Sequence, residues 1–491
     1  MPIRIGVPVS RYDRAVERSI RQPAAIGTDR CVNPDAGRDN ALCVVTPTVG
    51  YASGDTPGGQ AGSTGRSTVT AAERPGPLDG LRVVDFSGVI SGGFATLVLA
   101  DFGADVVFAE HPEYRDPLRE WPPFENGTSL WWKAIARNKR CITLDLGSDA
   151  GREIALGLVE DADVVFENFR PGTMERWGLG YEDLREVNEG IVMVRVSGYG
   201  QTGPRSERPG FGTIAEGVSG WAYANGFPDR EPLLPPISLA DLTAAQFAVQ
   251  ATMFAIYERD LGRDASGEGQ VIDVSLYEPL FRLFVGDVET YHKRGEDLQR
   301  TGNKHPNAAP RNVYETADGH VTLSASSQRV FENVARAVDR EDLIEQDRFA
   351  TNERRVENAD ALDAEIEAWT RERPTDEVIE IMEAHDAIVG PIYSMADIFA
   401  DDQYDARGDI VEIEDDQVGT LKTPAPIPRF SRTPGEVTHA GPPPGAHTET
   451  VLGDELGLDD ERLLELRAAG VVGASSGGGA TDDSGDDDNG T

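Results

Sequence analysis

Leu81-Arg82-Val83-Val84-Asp85-Phe86, the small-residue turn Ser87-Gly88-Val89-Ile90-Ser91-Gly92-Gly93 and the stretch from Phe94 to Phe102 together decide the fold. The first run is β-branched and apolar, and predicts a strand. The turn after it is short, and the residues from Phe94 onward suit a helix. Gly103 and Ala104 then lead into Asp105-Val106-Val107-Phe108-Ala109, a second strand that ends at Glu110-His111-Pro112. Strand, helix and strand in this order make a βαβ unit, whose natural setting is a parallel sheet with helical crossovers.

The pattern continues outward from there. Strands are expected at Cys141–Leu146, Asp163–Phe166, Ile191–Val196 and Val271–Ser275, with helices over Asp149–Glu160 and from Asp241 to about Arg259. From Tyr291 onward the texture changes to short strands (Asn312–Glu315, His320–Leu323) and charged amphipathic helices near Phe331–Val338 and Leu362–Arg371. The fold class expected is therefore α/β, a Rossmann-like parallel-sheet domain with a smaller α+β domain. The boundaries expected are a large domain over residues 77–285, a small one over 286–425 and a return segment over 426–473. Residues 1–76 are rich in Gly, Ser, Thr, Arg and Pro and read as a flexible extension, and 474–491 read as a disordered acidic tail.

The chain has 491 residues with 85 acidic against 46 basic side chains, a net charge of −39. Lysine occurs only at Lys133, Lys139, Lys293, Lys304 and Lys422. The acidity runs along the whole chain, so the surface repels itself in dilute buffer and is screened in concentrated salt. A salt-rich cytoplasm is the expected setting. Nucleic acid is an unsuitable partner, because phosphate backbones need a basic face. No run of eighteen apolar residues is present, so no membrane span is expected, and the amino terminus lacks the apolar core of a secretory signal. Three scattered cysteines argue for a reducing compartment and against a disulfide framework.

Several chemistries fail on their spacing. Gly88, Gly92 and Gly93 do not form G-x-G-x-x-G, which argues against a dinucleotide site. Neither Ser197 nor Ser219 has the glycines of a hydrolase elbow. The seven histidines form no H-E-x-x-H pair, and no metal is expected. Carboxylates and phosphate-friendly groups remain. Glu167-Asn168-Phe169-Arg170-Pro171-Gly172, with Arg176, follows a strand and so lies at the carboxyl edge of the sheet, where open α/β folds bind ligands. An amide, an aromatic face and two guanidiniums suit adenine stacking and phosphate pairing, although each also serves an ordinary turn. Asn138-Lys139-Arg140 adds basic groups before the strand at Cys141. In Leu234-Pro235-Pro236-Ile237-Ser238-Leu239-Ala240-Asp241, a Pro-rich approach brings one carboxylate to the mouth of a helix. Taken alone, Asp241 reads as an N-cap.

Taken together and in order, these segments resemble the class III (CaiB/BaiF) CoA-transferase family. The resemblance is carried by Pro77–Phe86, Phe102–Val107, Arg137–Arg140, Glu167–Gly172, Ser197-Gly198-Tyr199-Gly200-Gln201-Thr202-Gly203-Pro204, Ser238–Asp241, Thr301–Pro310 and Gly441–Val472. It implies an interlocked homodimer and makes Asp241 the catalytic nucleophile. It places Val89, His111, Lys139, Arg140, Leu144, Asn168, Phe169 and Arg176 around coenzyme A, which is a substrate as its thioester and not a resident cofactor. His111 stands where relatives can have Arg, and Ile90 where formyl-CoA enzymes have a polar amide. The expected partners are an acyl-CoA, taken as succinyl-CoA, and a small carboxylic acid such as mesaconate, malate or citramalate. Arg311 is one candidate for a second carboxylate. The alternatives are a non-catalytic CoA-binding protein and a 2-methylacyl-CoA racemase. The racemases carry a proton-moving His at the position of Phe211, which cannot move a proton.

Overall fold

The computed structural model describes residues 76–262 and 265–473. The extension expected over 1–76 (Gly76 apart) and the tail expected over 474–491 lie outside the described residues. Six strands build the main sheet: β1 (Arg82–Asp85), β2 (Asp105–Glu110), β3 (Arg140–Thr143), β4 (Val164–Glu167), β5 (Val192–Ser197) and β6 (Val271–Ser275). Every pairing among them is parallel, in the order β3-β2-β1-β4-β5-β6. This is the doubly wound order, with its switch point between β1 and β4.

Each strand divides its side chains between two cores. Val84, Val107, Ile142, Val165 and Met193 face one way, onto helix α2 (Asp149–Glu160) through Ile154, Leu158 and Val159. Val83, Val106, Val164, Val194 and Val274 face the other. There they meet helices α1 (Ser91–Asp101) and α4 (Leu239–Leu261), with α3 (Gly212–Val218) preceding α4 in the chain. Helix α4 lays Ala240, Ala244, Ala245, Ala248 and Ala255 on this core. Alanine at helical spacing favours the helix and lets it approach closely. Among the described helices α4 alone has the length and apolarity to cross a membrane; here its alanine face is packed on the sheet.

A further core forms around the antiparallel strands Arg311–Glu315, His320–Ser324 and Val389–Pro391. Phe331, Val334, Leu362, Ile366, Val378 and Met382 from three helices fill it. The chain then returns to β3: His447 accepts from the Cys141 N–H at Nδ1 over 3.1 Å, and the Asp145 N–H donates to the Val471 carbonyl over 2.8 Å.

Candidate active site

A cleft of about 370 Å3 opens over the carboxyl ends of all six strands. Its floor at the switch point is the turn after β1. There the Asn168 carboxamide clamps the Gly88 peptide, accepting from its N–H over 2.9 Å and donating to its carbonyl over 2.7 Å. Val89 sits in the left-handed region at φ 59°, and its N–H donates to Asp116 over 2.8 Å. A β-branched residue in this conformation costs on the order of 1–3 kcal/mol and persists only where its surroundings enforce it.

Of the residues expected at the site, Val89, His111, Leu144, Asn168, Phe169 and Asp241 line this cleft. Phe169 packs edge-on against Trp177, ring centroids 5.0 Å apart, making an aromatic wall. Lys139, Arg140 and Arg176 do not line it. Lys139 is buried beneath the turn, where its ammonium donates to the Gly93 carbonyl over 2.8 Å and the Thr96 hydroxyl over 2.7 Å. It also lies 3.3 Å from the Asp85 carboxylate. Its basic character serves a buried carboxylate and not a ligand. Arg140 lies at the amino end of β3, away from the cleft, and is held by Asp105 and Glu455. Arg176 turns back on its own loop, donating to the Gly172 carbonyl and the Thr173 hydroxyl. Arg311 lines a separate cavity beside Lys304 and His305.

Asp241 does not cap its helix. The N-cap is Ser238, and Asp241 is the third helical residue. The free N–H of Ala240 is turned instead toward the buried Glu216 carboxylate, 3.4 Å away. Among the described residues no other side chain donates to the Asp241 carboxylate. Burial, and then the negative charge of Glu216, push its pKa up to about 6. Helix α3 presses against it: a Cβ on Gly212 would come 2.0 Å from Asp241 Oδ2. Gly198 and Gly210 also approach closely, a Cβ on Gly198 falling 2.7 Å from the Gly210 Cα. Phe211, 77 % exposed, stands between these glycines at the cleft. The site thus offers a desolvated carboxylate that no described side chain partners, in a cleft with an aromatic wall, and such a group is suited to nucleophilic attack on an activated acyl carbon.

Glu216, Gly212, Tyr114 and Arg115 were not singled out from sequence as site residues. For Gly212 the local signal was its place in Pro209-Gly210-Phe211-Gly212; Glu216, Tyr114 and Arg115 carried none.

Residues 78–448 match the family described as CoA-transferase family III. The chain is 40 % identical over 400 residues to a succinyl-CoA–D-citramalate CoA-transferase of Chloroflexus aurantiacus, covering 81 % of this chain and 98 % of that one. It is 34 % identical over 399 residues to a succinyl-CoA:mesaconate CoA-transferase of Haloarcula marismortui, covering 78 % and 97 %. A solved CaiB/BaiF family protein from Brucella suis superposes with a TM-score of 0.70 at 32 % identity, covering 78 % of this chain and all of that one. With the family's match spanning the six-stranded sheet and the cleft above it, the chain belongs to CoA-transferase family III.

Proposed function

We propose that this enzyme moves CoA from succinyl-CoA to a small dicarboxylate such as mesaconate, malate or citramalate, with Asp241 as nucleophile. The observation that carries this reading is the Asp241 carboxylate itself, desolvated, without a side-chain partner among the described residues and lying at the cleft against the bare backbone of Gly212. The similarity to succinyl-CoA-dependent relatives supports the choice of donor and acceptors.

An Asp241 oxygen attacks the thioester carbonyl, and CoA leaves as the thiolate, giving a mixed aspartyl–succinyl anhydride. The thiolate attacks the Asp241 carbonyl and expels succinate, giving an aspartyl-CoA thioester. The acceptor carboxylate then attacks this thioester, and the returning thiolate takes the acceptor's acyl group and frees Asp241. Water must be kept from the anhydride throughout.

A homodimer and a salt-loaded cytoplasm belong to the same proposal. Phe254, Tyr257 and Leu261 on α4, with Val285 and Tyr291 beyond it, are each more than 60 % exposed, which supports a covering partner; light scattering in concentrated KCl tests it. The activity is tested by offering succinyl-CoA with a panel of free acids in concentrated KCl and separating the thioesters by chromatography and mass spectrometry. A new acyl-CoA from wild type and none from Asp241→Ala is expected. No transfer with any acid, together with deuterium uptake at the α-carbon, would favour the racemase instead.

A further inference from the structure

The substrate of the proposed reaction carries a diphosphate and a ribose phosphate, and the protein it must approach has a net charge of −39. The cleft contains the means to receive it. Its acidic side chains near β2 and β3 already have hydrogen-bond or ion-pair partners. Glu110 is held by Arg119, with Nη2 2.6 Å from Oε1 and Nε donating to Oε2 over 2.9 Å. Asp116 accepts from the N–H groups of Val89 and Leu118. Asp145 accepts from the Gly147 N–H over 3.0 Å and lies 3.6 Å from His111 Nε2. His111 accepts at Nδ1 from the N–H groups of Glu113 and Tyr114, which leaves the proton on Nε2, directed toward Asp145.

One cation lining the cleft is unengaged. Among the described residues Arg115 has no hydrogen-bond or ion-pair partner, and its side chain is exposed in the segment between β2 and the buried Asp116. Beside it the Tyr114 ring, 74 % exposed, lies 4.9 Å from the His111 ring at 34°. A planar guanidinium next to exposed aromatic faces has the chemistry for a phosphate attached to a nucleoside: bidentate pairing for the one, stacking for the other. We infer that Arg115 binds a phosphate of the CoA nucleotide and so brings a polyanionic substrate to an acidic enzyme. The inference rests on the proposed CoA-transfer reading. It adds a residue to which that reading gave no role.

Calorimetric titration of the full-length protein with CoA, dephospho-CoA and pantetheine separates the two. Arg115→Ala is expected to weaken CoA roughly 10- to 100-fold, the range of a charge-assisted hydrogen-bonded contact, and to leave pantetheine unchanged. Loss of the effect with dephospho-CoA would place Arg115 on the ribose phosphate, and its persistence would place it on the diphosphate. Unchanged CoA affinity, or an equal loss with pantetheine, would overturn the inference. In turnover the variant raises KM for succinyl-CoA with kcat preserved. Arg115-dependent CoA binding in a protein that transfers nothing would instead refute the proposed function alone.

Discussion

Gly212→Ala is a one-carbon test of where the chemistry occurs. The added Cβ would lie 2.0 Å from Asp241 Oδ2 and 3.1 Å from its Cγ, whereas ordinary contacts begin near 3.4 Å. Something must therefore move by at least roughly 1.4 Å, the gap between those two distances. The freest element is the Asp241 carboxylate, since no other described side chain holds it; the alternative, a shift of α3 against α4, displaces the same carboxylate. A misplacement of about 1 Å costs around 100-fold in a reaction that depends on alignment, so kcat should fall by about two orders of magnitude or more. The backbone at Gly212 lies outside the left-handed region. Alanine there restricts the unfolded chain and offsets part of the crowding by about 0.4–1 kcal/mol. Thioester exchange by chromatography, thermal unfolding and CoA titration should thus give a collapsed kcat with Tm and CoA affinity near wild type. Full turnover in a folded Gly212→Ala protein would refute Asp241 as the nucleophile in this geometry.

Four further outcomes follow from the charges. The Asp241 carboxylate must be ionised to attack, so kcat/KM for succinyl-CoA should rise with pH and level off above about 6; Glu216→Gln removes a raising charge and should move that midpoint down, and an unmoved midpoint would assign it to another group. The same elevation means that Asp241 favours the folded state below its unfolded value of 3.8 and loses that contribution as pH rises through about 6. Asp241→Asn should therefore be more stable than wild type at pH 8, by on the order of 2–3 kcal/mol, though inactive; a lower Tm would contradict it. Lys139→Met leaves the buried Asp85 without its cation and should cost about 3–5 kcal/mol in unfolding experiments while the folded fraction keeps its CoA affinity; a tenfold affinity loss at unchanged Tm would make Lys139 a ligand after all. With a net charge of −39, Tm should climb as KCl is raised from 0.1 M toward molar concentrations, and a flat response would remove the argument for a salt-rich setting.

The six strands were legible because a parallel strand covered on both faces reads as an unbroken apolar run. Val83-Val84, Val106-Val107-Phe108 and Val164-Val165-Phe166 are such runs, and each is fully or nearly buried. Their lateral order was not legible: nothing in β4 announces that it lies beside β1 and not beside β3. The site divides in the same way. Asp241, Phe169 and Val89 sit in segments whose local sequence already places them at a helix start or a strand end. Lys139 and Arg140 were misplaced because an adjacent basic pair reads as solvated or ligand-facing. Their partners, Asp85 and Glu455, lie 54 and 315 residues away. Glu216 is invisible for the same reason, since its relation to Ala240 and Asp241 arises only when α3 packs on α4.

That packing sets two opposing fields on one carboxylate. An anion in the first turn of a helix is ordinarily favoured by about 0.3–1 kcal/mol, and at most about 2. Asp241 is nevertheless pushed from 3.8 to about 6, equivalent to roughly 3 kcal/mol against its ionised form, so burial and Glu216 outweigh the helix. A carboxylate held in this way is more basic, hence a better nucleophile, and it loses its charge when acylated. Both proposed covalent states, the anhydride and the aspartyl thioester, are neutral at Asp241 and escape the repulsion from Glu216. The resting enzyme is thereby raised toward intermediates that would otherwise lie well above it. Glu216→Gln relaxes the resting carboxylate and leaves the neutral acyl states nearly untouched. At equilibrium with succinyl-CoA it should therefore carry several-fold less aspartyl-CoA thioester, read by mass spectrometry of the intact, acid-quenched protein. Equal or greater loading in the variant would show that Glu216 acts only through the Ala240 N–H at the helix end and not on the charge of Asp241.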